Sequence, residues 1–148
     1  HRLRLACALD DDVGIGVFKE PRPRHPAKCY KKHEAKHKSD RSSCCKRLSK
    51  CYKKHKDKES KIKCIKRWND WVTSTKHWSE CRAYKASASC FCWGKTWCKK
   101  KERSAWEKLC DEHEKERDKH CKKQQKRKRC PFDWYGNIRT KVIIGELP

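Results

Sequence analysis

The chain has 148 residues, of which 34% are hydrophobic and 41% charged, and its 42 Lys and Arg against 19 Asp and Glu give a net charge of +23. So little apolar material excludes a large hydrophobic core, and no apolar run approaches the ~20 residues of a membrane-crossing helix. Thirteen cysteines make up the deficit, since cross-links in a small chain typically contribute ~2–4 kcal/mol each. Such cysteine usage reads as an oxidising compartment, hence a secreted, extracellular protein. A cytosolic zinc protein would instead show Cys-x-x-Cys knuckles, and there are none. The cysteine count is odd, so at least one thiol is unpaired or joins another chain, which leaves a disulfide-linked or non-covalent oligomer open. The chain starts at His1 and lacks methionine, which fits processing from a precursor.

Residues 1–28 read as an N-terminal extension. It holds a short apolar start around Cys7, an Asp10-Asp11-Asp12 break and a Gly14/Gly16 stretch. The last lacks the third glycine of a nucleotide loop and reads as a turn and short strand. Pro21, Pro23 and Pro26 predict an extended linker. Residues 29–130 form the predicted disulfide-rich helical domain. Over 28–41 a loop and a frayed helix fit equally well. Ser39, Asp40, Ser42 and Ser43 are N-cap candidates for a helix from about Cys44 to Lys58. Cys44, Leu48 and Cys51 lie at i, i+4 and i+7 on its face, continued by His55.

A second helix is expected over 60–72, with Ile62, Ile65, Trp68 and Val72 in its stripe and Trp71 widening it. Thr73-Ser74-Thr75 breaks it. A third helix covers 76–98, with Trp78, Cys81, Tyr84, Ala88 and Cys92 on one face and Gly94 weakening its end. A fourth covers 100–128, with Trp106, Leu109, Cys110, His113, Arg117, His120 and Cys121 in a stripe. Its acids come early and its bases late, as the helix dipole favours. Cys130-Pro131 ends it. Residues 131–148 read as a turn-rich C-terminal tail with one short strand at 141–144.

The stretch Cys44-Cys45-x-x-Leu48-Ser49-x-Cys51-Tyr52 resembles the active-site helix of secreted phospholipase A2 enzymes, Cys-Cys-x-x-His-Asp-x-Cys. Cys90-Phe91-Cys92, then Cys98, resembles that family's second long helix, and Cys29 sits where its calcium-loop cysteine would be. The resemblance spans residues 29 to 98. It implies a mainly α, disulfide-stapled fold with a short β element or none, and bridges Cys29–Cys45, Cys51–Cys92 and Cys44–Cys98. It also implies a lost activity. Leu48 stands at the general-base position and cannot accept a proton. Ser49 stands at the calcium carboxylate and Trp93 at the orienting Asp, and the loop after Cys29 lacks glycine and negative charge. The expected protein is no enzyme and carries no cofactor.

The expected function is capture of an anionic partner: a membrane surface, a sulfated glycan or an acidic protein, with nucleic acid disfavoured by secretion. The candidate anion-binding residues are Lys53, Lys54, Lys56, Lys122, Lys123, Lys126, Arg127, Lys128 and Arg129. Trp93 and Trp97, four apart, are the candidate interface aromatics. Trp68, Trp71, Trp78 and Trp106 are assigned to the core. A membrane-disrupting toxin or antimicrobial protein, and a matrix or receptor-binding protein, are the alternatives. His33 and His37, four apart, share a helical face with the right chemistry for a metal. Cys110, His113, His120 and Cys121 have the right types for zinc. Solvated histidines and disulfides account for both sets, so no metal is expected.

Overall fold

The computed structural model describes residues 24–123 and 126–140. Four α-helices account for most of them: α1 (Pro26–Lys54), α2 (Lys58–Ser74), α3 (Lys76–Trp97) and α4 (Arg103–Lys122), with a 3-10 turn at Lys100–Glu102 before α4. Among the described residues the sole β pairing is an isolated antiparallel bridge between Phe132 and Ile138. The mainly helical, disulfide-stapled class is as the sequence predicts. The residues around Cys7, the Gly14/Gly16 stretch and the strand expected at 141–144 lie outside the described residues.

Three boundaries differ from the sequence reading. Pro26 opens α1 instead of lying in a linker; the first helical position needs no N–H, so proline suits it. The N-cap candidates Ser39, Asp40, Ser42 and Ser43 are interior to α1, which starts eighteen residues before Cys44. The reason is visible in burial: Cys29, His37, Asp40, Cys44, Leu48 and Cys51 are all buried, at spacings that keep one helical face. The apolar stripe read from Cys44 onward continues backwards in polar residues. The fourth helix ends at Lys122, short of 128.

The described chain forms two compact units, one of Arg41–Ser74 and 128–140, the other of 24–40 and Thr75–Arg127. In the first, Cys44, Cys45, Leu48, Cys51, Cys64, Trp68, Trp71 and Phe132 make the core, with Val72, Cys130 and Ile138 at its edge. Trp68 and Trp71 are buried against each other, as their helical spacing implies. Asp57 caps α2, its carboxylate accepting the Ser60 N–H at 2.8 Å. Part of the expected C-terminal tail belongs here: Phe132 is fully buried and residues 131–139 fold back as a tight turn. Asp133 Oδ1 accepts the N–H groups of Tyr135 and Asn137, both at 2.9 Å. Gly136 has φ +81, and a Cβ there would meet the Lys50–Cys51 backbone at 2.5–2.7 Å.

In the second unit α3 is central. Its small residues Ser79, Ala83, Ser87 and Ala88 are buried, which lets neighbouring helices approach closely. Phe91, Trp106, Cys29, Cys90 and Cys110 form an apolar cluster at one end. Gly94 lies under the Trp106 indole, where a Cβ would come to 2.3 Å of the ring. The glycine that weakens the helix on propensity is required here by packing.

None of the three bridges implied by the phospholipase resemblance forms. The described pairs are Cys29–Cys90, Cys44–Cys130, Cys51–Cys64, Cys81–Cys121 and Cys92–Cys110. Cys45 is also disulfide-bonded, but not to Cys29. Both are residues of α1, and one helix carries residues sixteen apart far beyond the ~7 Å between Cα atoms that a disulfide allows. Cys51 takes Cys64, thirteen residues away across the turn joining α1 to α2, in place of Cys92. Cys98 is the free thiol among the described residues, half-buried just past α3, its backbone N–H bonded to Gly94 O at 2.8 Å.

Candidate functional site

The basic residues divide into those the fold uses and those it leaves in solvent. In the first unit, three bases of α1 clasp the turn at 131–139. Arg47 donates to Phe132 O at 3.2 Å and lies 4.1 Å from the centre of the Trp134 ring. Lys50 Nζ donates to Trp134 O at 2.9 Å. Lys54, a predicted anion-binding residue, donates to Asn137 Oδ1. Lys61 similarly donates to Tyr52 O and stacks on its ring. These are structural uses of cations that charge clustering alone does not reveal.

Lys53, Lys56, Lys128 and Arg129 of this unit are exposed and make no ion pair among the described residues. The same holds for Lys122, Lys123 and Lys126 in the other unit; Arg127 is exposed too and lies 5.4 Å from the Trp78 ring. The described ion pairs fall instead on Arg82, Arg117 and histidines. The run 122–129 is divided between the two units, 122–127 in one and 128–129 in the other. Trp93 and Trp97 are exposed, at 44% and 57%, as an interface role requires. Trp134 and Tyr135 are more exposed still and were not among the sequence candidates; their place in a turn held by lysines is the signal. Trp78, assigned to the core, is only part-buried, between Arg82 and Arg127. Leu48 is buried in the core of its unit, with no catalytic or metal-binding atom to offer.

Between α1, α3 and α4 lies a second grouping, built of histidine. His33 and His37 of α1, His77, Ser79, Glu80, Tyr84 and Ser87 of α3, and His113 and His120 of α4 share hydrogen bonds and ring contacts. His37 Nδ1 meets Ser79 Oγ at 2.7 Å, and Ser79 Oγ donates to Asp40 Oδ2 at 3.3 Å. Asp40 is buried and paired with Arg82 Nε at 3.0 Å. Ser87 Oγ lies 2.7 Å from His113 Nδ1 and 3.3 Å from His33 Nδ1, so it joins all three helices.

Burial pushes the His113 and His120 imidazoles below the usual histidine range; the charge of His33 adds to this for His113, while Glu80 opposes it for His120. For Glu80, burial raises the carboxyl, but hydrogen bonds from His33 and His37 and their charge outweigh it and hold it well below the usual carboxylate range. Two Ser–His pairs have the spacing of nucleophile and base. Ser79 and Ser87 are buried at 1% and 0% exposure, so no substrate reaches either hydroxyl.

Among the described residues three clusters have metal-ligating types: Cys51/His55/Cys64, Cys92/Cys110/Glu114 and His33/His37/Glu80. The first two hold cystines, whose sulfurs are not thiolates and do not ligate. Only the third offers three usable atoms. No helix among the described residues is long and apolar enough to cross a membrane. The chain matches no known protein family, no curated protein and no solved structure.

Proposed function

We propose that this is a secreted, non-catalytic binding protein that captures a polyanion, with a sulfated glycan as the favoured partner. One observation carries the reading. Lys53, Lys56, Lys122, Lys123, Lys126, Lys128 and Arg129 stand in solvent with no carboxylate partner among the described residues, in a chain of net charge +23. Such a field attracts a flexible polyanion without a preformed pocket, and each contact is screened by salt. The five described disulfides fit an oxidising location. The exposed Trp134 and Tyr135 beside Arg47 and Lys50 give pyranose rings a stacking surface. The reading does not rest on the phospholipase resemblance.

The test is retention of the folded protein on heparin. Binding should weaken steeply with salt, resist any single Lys→Ala change, and fall clearly in a Lys122/Lys123/Lys126→Gln triple variant. Retention that ignores salt would sink the reading. The exposure of Trp93 and Trp97 supports a second reading, attack on anionic membranes. Dye release from phosphatidylglycerol vesicles, abolished by changing both indoles to alanine, would favour it over the glycan.

A further inference from the structure

We propose that His33, His37 and Glu80 form a binding site for one divalent transition-metal ion of the zinc class, with solvent as fourth ligand. The proposal is independent of polyanion binding. It rests on where two imidazole nitrogens and one carboxylate converge. His33 Nε2 and His37 Nε2 are 3.2 Å apart. His37 Nε2 is 3.3 Å from Glu80 Oε1, and His33 Nε2 is 3.6 Å from Glu80 Oε2. Ligands at ~2.0–2.1 Å from a tetrahedral zinc stand about 3.3–3.4 Å from one another. The two nitrogens and the two oxygens of one carboxylate therefore stand close to ligand spacing before any ion arrives, with one atom of each residue within 4.8 Å of the others.

The hydrogen bonds behind the rings point the same way. Ser79 Oγ gives its proton to Asp40, so it can accept from His37 Nδ1–H in the neutral tautomer whose Nε2 is free to ligate once an ion replaces the proton that holds Glu80. His33 Nδ1 lies 3.3 Å from Ser87 Oγ. Ligating histidines characteristically have their other nitrogen fixed by an oxygen. Without an ion, imidazole N–H groups hydrogen-bond the Glu80 carboxylate; a bound metal would replace those protons, so its affinity should rise with pH.

Two nitrogens and one carboxylate suit zinc, nickel or copper better than calcium or magnesium, which demand oxygen. Each of the three side chains keeps some exposure, 12% for His33, 11% for His37 and 22% for Glu80, so water can enter as the fourth ligand. The ion would pin α1 to α3 beyond the Cys29–Cys90 bridge. Bridges Cys29–Cys90 and Cys81–Cys121 flank the site, so the helices stay joined when a ligand is changed and variants remain testable.

The experiment is calorimetric titration of Zn²⁺ into the oxidised, chelator-stripped full chain, with Co²⁺ absorption as a second readout. One ion per chain and the intense visible band of four-coordinate cobalt are expected. Ser79→Ala should weaken binding about tenfold, as loss of a supporting hydrogen bond does. Glu80→Gln and His33→Gln should weaken it more, and His55→Gln should leave it unchanged. Far-UV circular dichroism checks that each variant is folded; should His33→Gln lose helicity, Glu80→Gln decides. No stoichiometric binding, undiminished affinity in Glu80→Gln, a weak octahedral cobalt spectrum, or equal loss in His55→Gln would each overturn the site.

Discussion

The two units stabilise themselves by different chemistry. The unit of Arg41–Ser74 and 128–140 packs Leu48, Trp68, Trp71 and Phe132 around cystines. The other has its apolar cluster at one end of α3, and fills the rest of the space between its helices with histidine, serine and paired charge. Buried polar groups hold a structure only while every hydrogen bond is made. The contrast teaches how a chain with so few apolar residues makes two folded regions: one receives most of the large hydrophobes, and the other adds to Phe91 and Trp106 a hydrogen-bonded interior fixed by three disulfides.

The contrast is open to attack from either side. The largest effect should come from Phe132→Ala, which removes the fully buried ring of the first unit. A loss of about 3–5 kcal/mol is expected, measured by urea unfolding monitored through hydrogen exchange of α2. Next comes Gly94→Ala in the second unit. The added Cβ meets the Trp106 ring, so a loss of about 1–3 kcal/mol is expected. A double variant with Trp106→Leu should recover most of it. Additive losses would show that the indole is not the obstacle.

The third test separates the interiors by pH. His113 and His120 have folded pKa values below the usual histidine value of 6.5. Their neutral forms are therefore favoured by folding, and the unfolded chain takes up protons first. The stability they provide is complete above about pH 6.5 and is lost as the pH falls toward their lower folded values. Hydrogen exchange should show α4 losing protection across this range while α2 does not. The smallest effect is expected at the Asp57 cap. The Ser60 hydroxyl and N–H hold its carboxyl below the usual value of 3.8. Its contribution is present above that value and lost only in stronger acid, so Asp57→Ala should slightly speed exchange at the start of α2 at neutral pH.

What the sequence disclosed follows from which periodicities are apolar. Trp68 and Trp71 announce α2 and its buried face, and both are buried. The stripes through Cys81 and Cys92, and through Cys110 and Cys121, run on the faces that meet. The first half of α1 was hidden because two of its buried positions, His37 and Asp40, are polar and a hydrophobic pattern counts only Cys29. The histidine grouping was hidden for a different reason. His33 and His37 are four apart and legible as a pair, but Glu80 and His113 are remote from them in sequence, and only the antiparallel passage of α1 along α3 brings Glu80 to the pair. The cysteine pairing did leave a trace. Cys81 and Cys92 are eleven apart, and so are Cys110 and Cys121. Eleven residues are close to three helical turns, so two antiparallel helices can be joined at both points.

That equal spacing has a consequence for how the protein is oxidised. It makes two pairings self-consistent: Cys81–Cys121 with Cys92–Cys110 for antiparallel helices, and Cys81–Cys110 with Cys92–Cys121 for parallel ones. Residues 98–102, between α3 and α4, reach at most ~18 Å, whereas α3 with its 22 residues is ~33 Å long. A parallel arrangement needs the chain to return along the whole helix, and it cannot. The short connector therefore rejects the wrong pair of bonds before chemistry begins, so these four thiols carry their own proofreading against scrambled isomers.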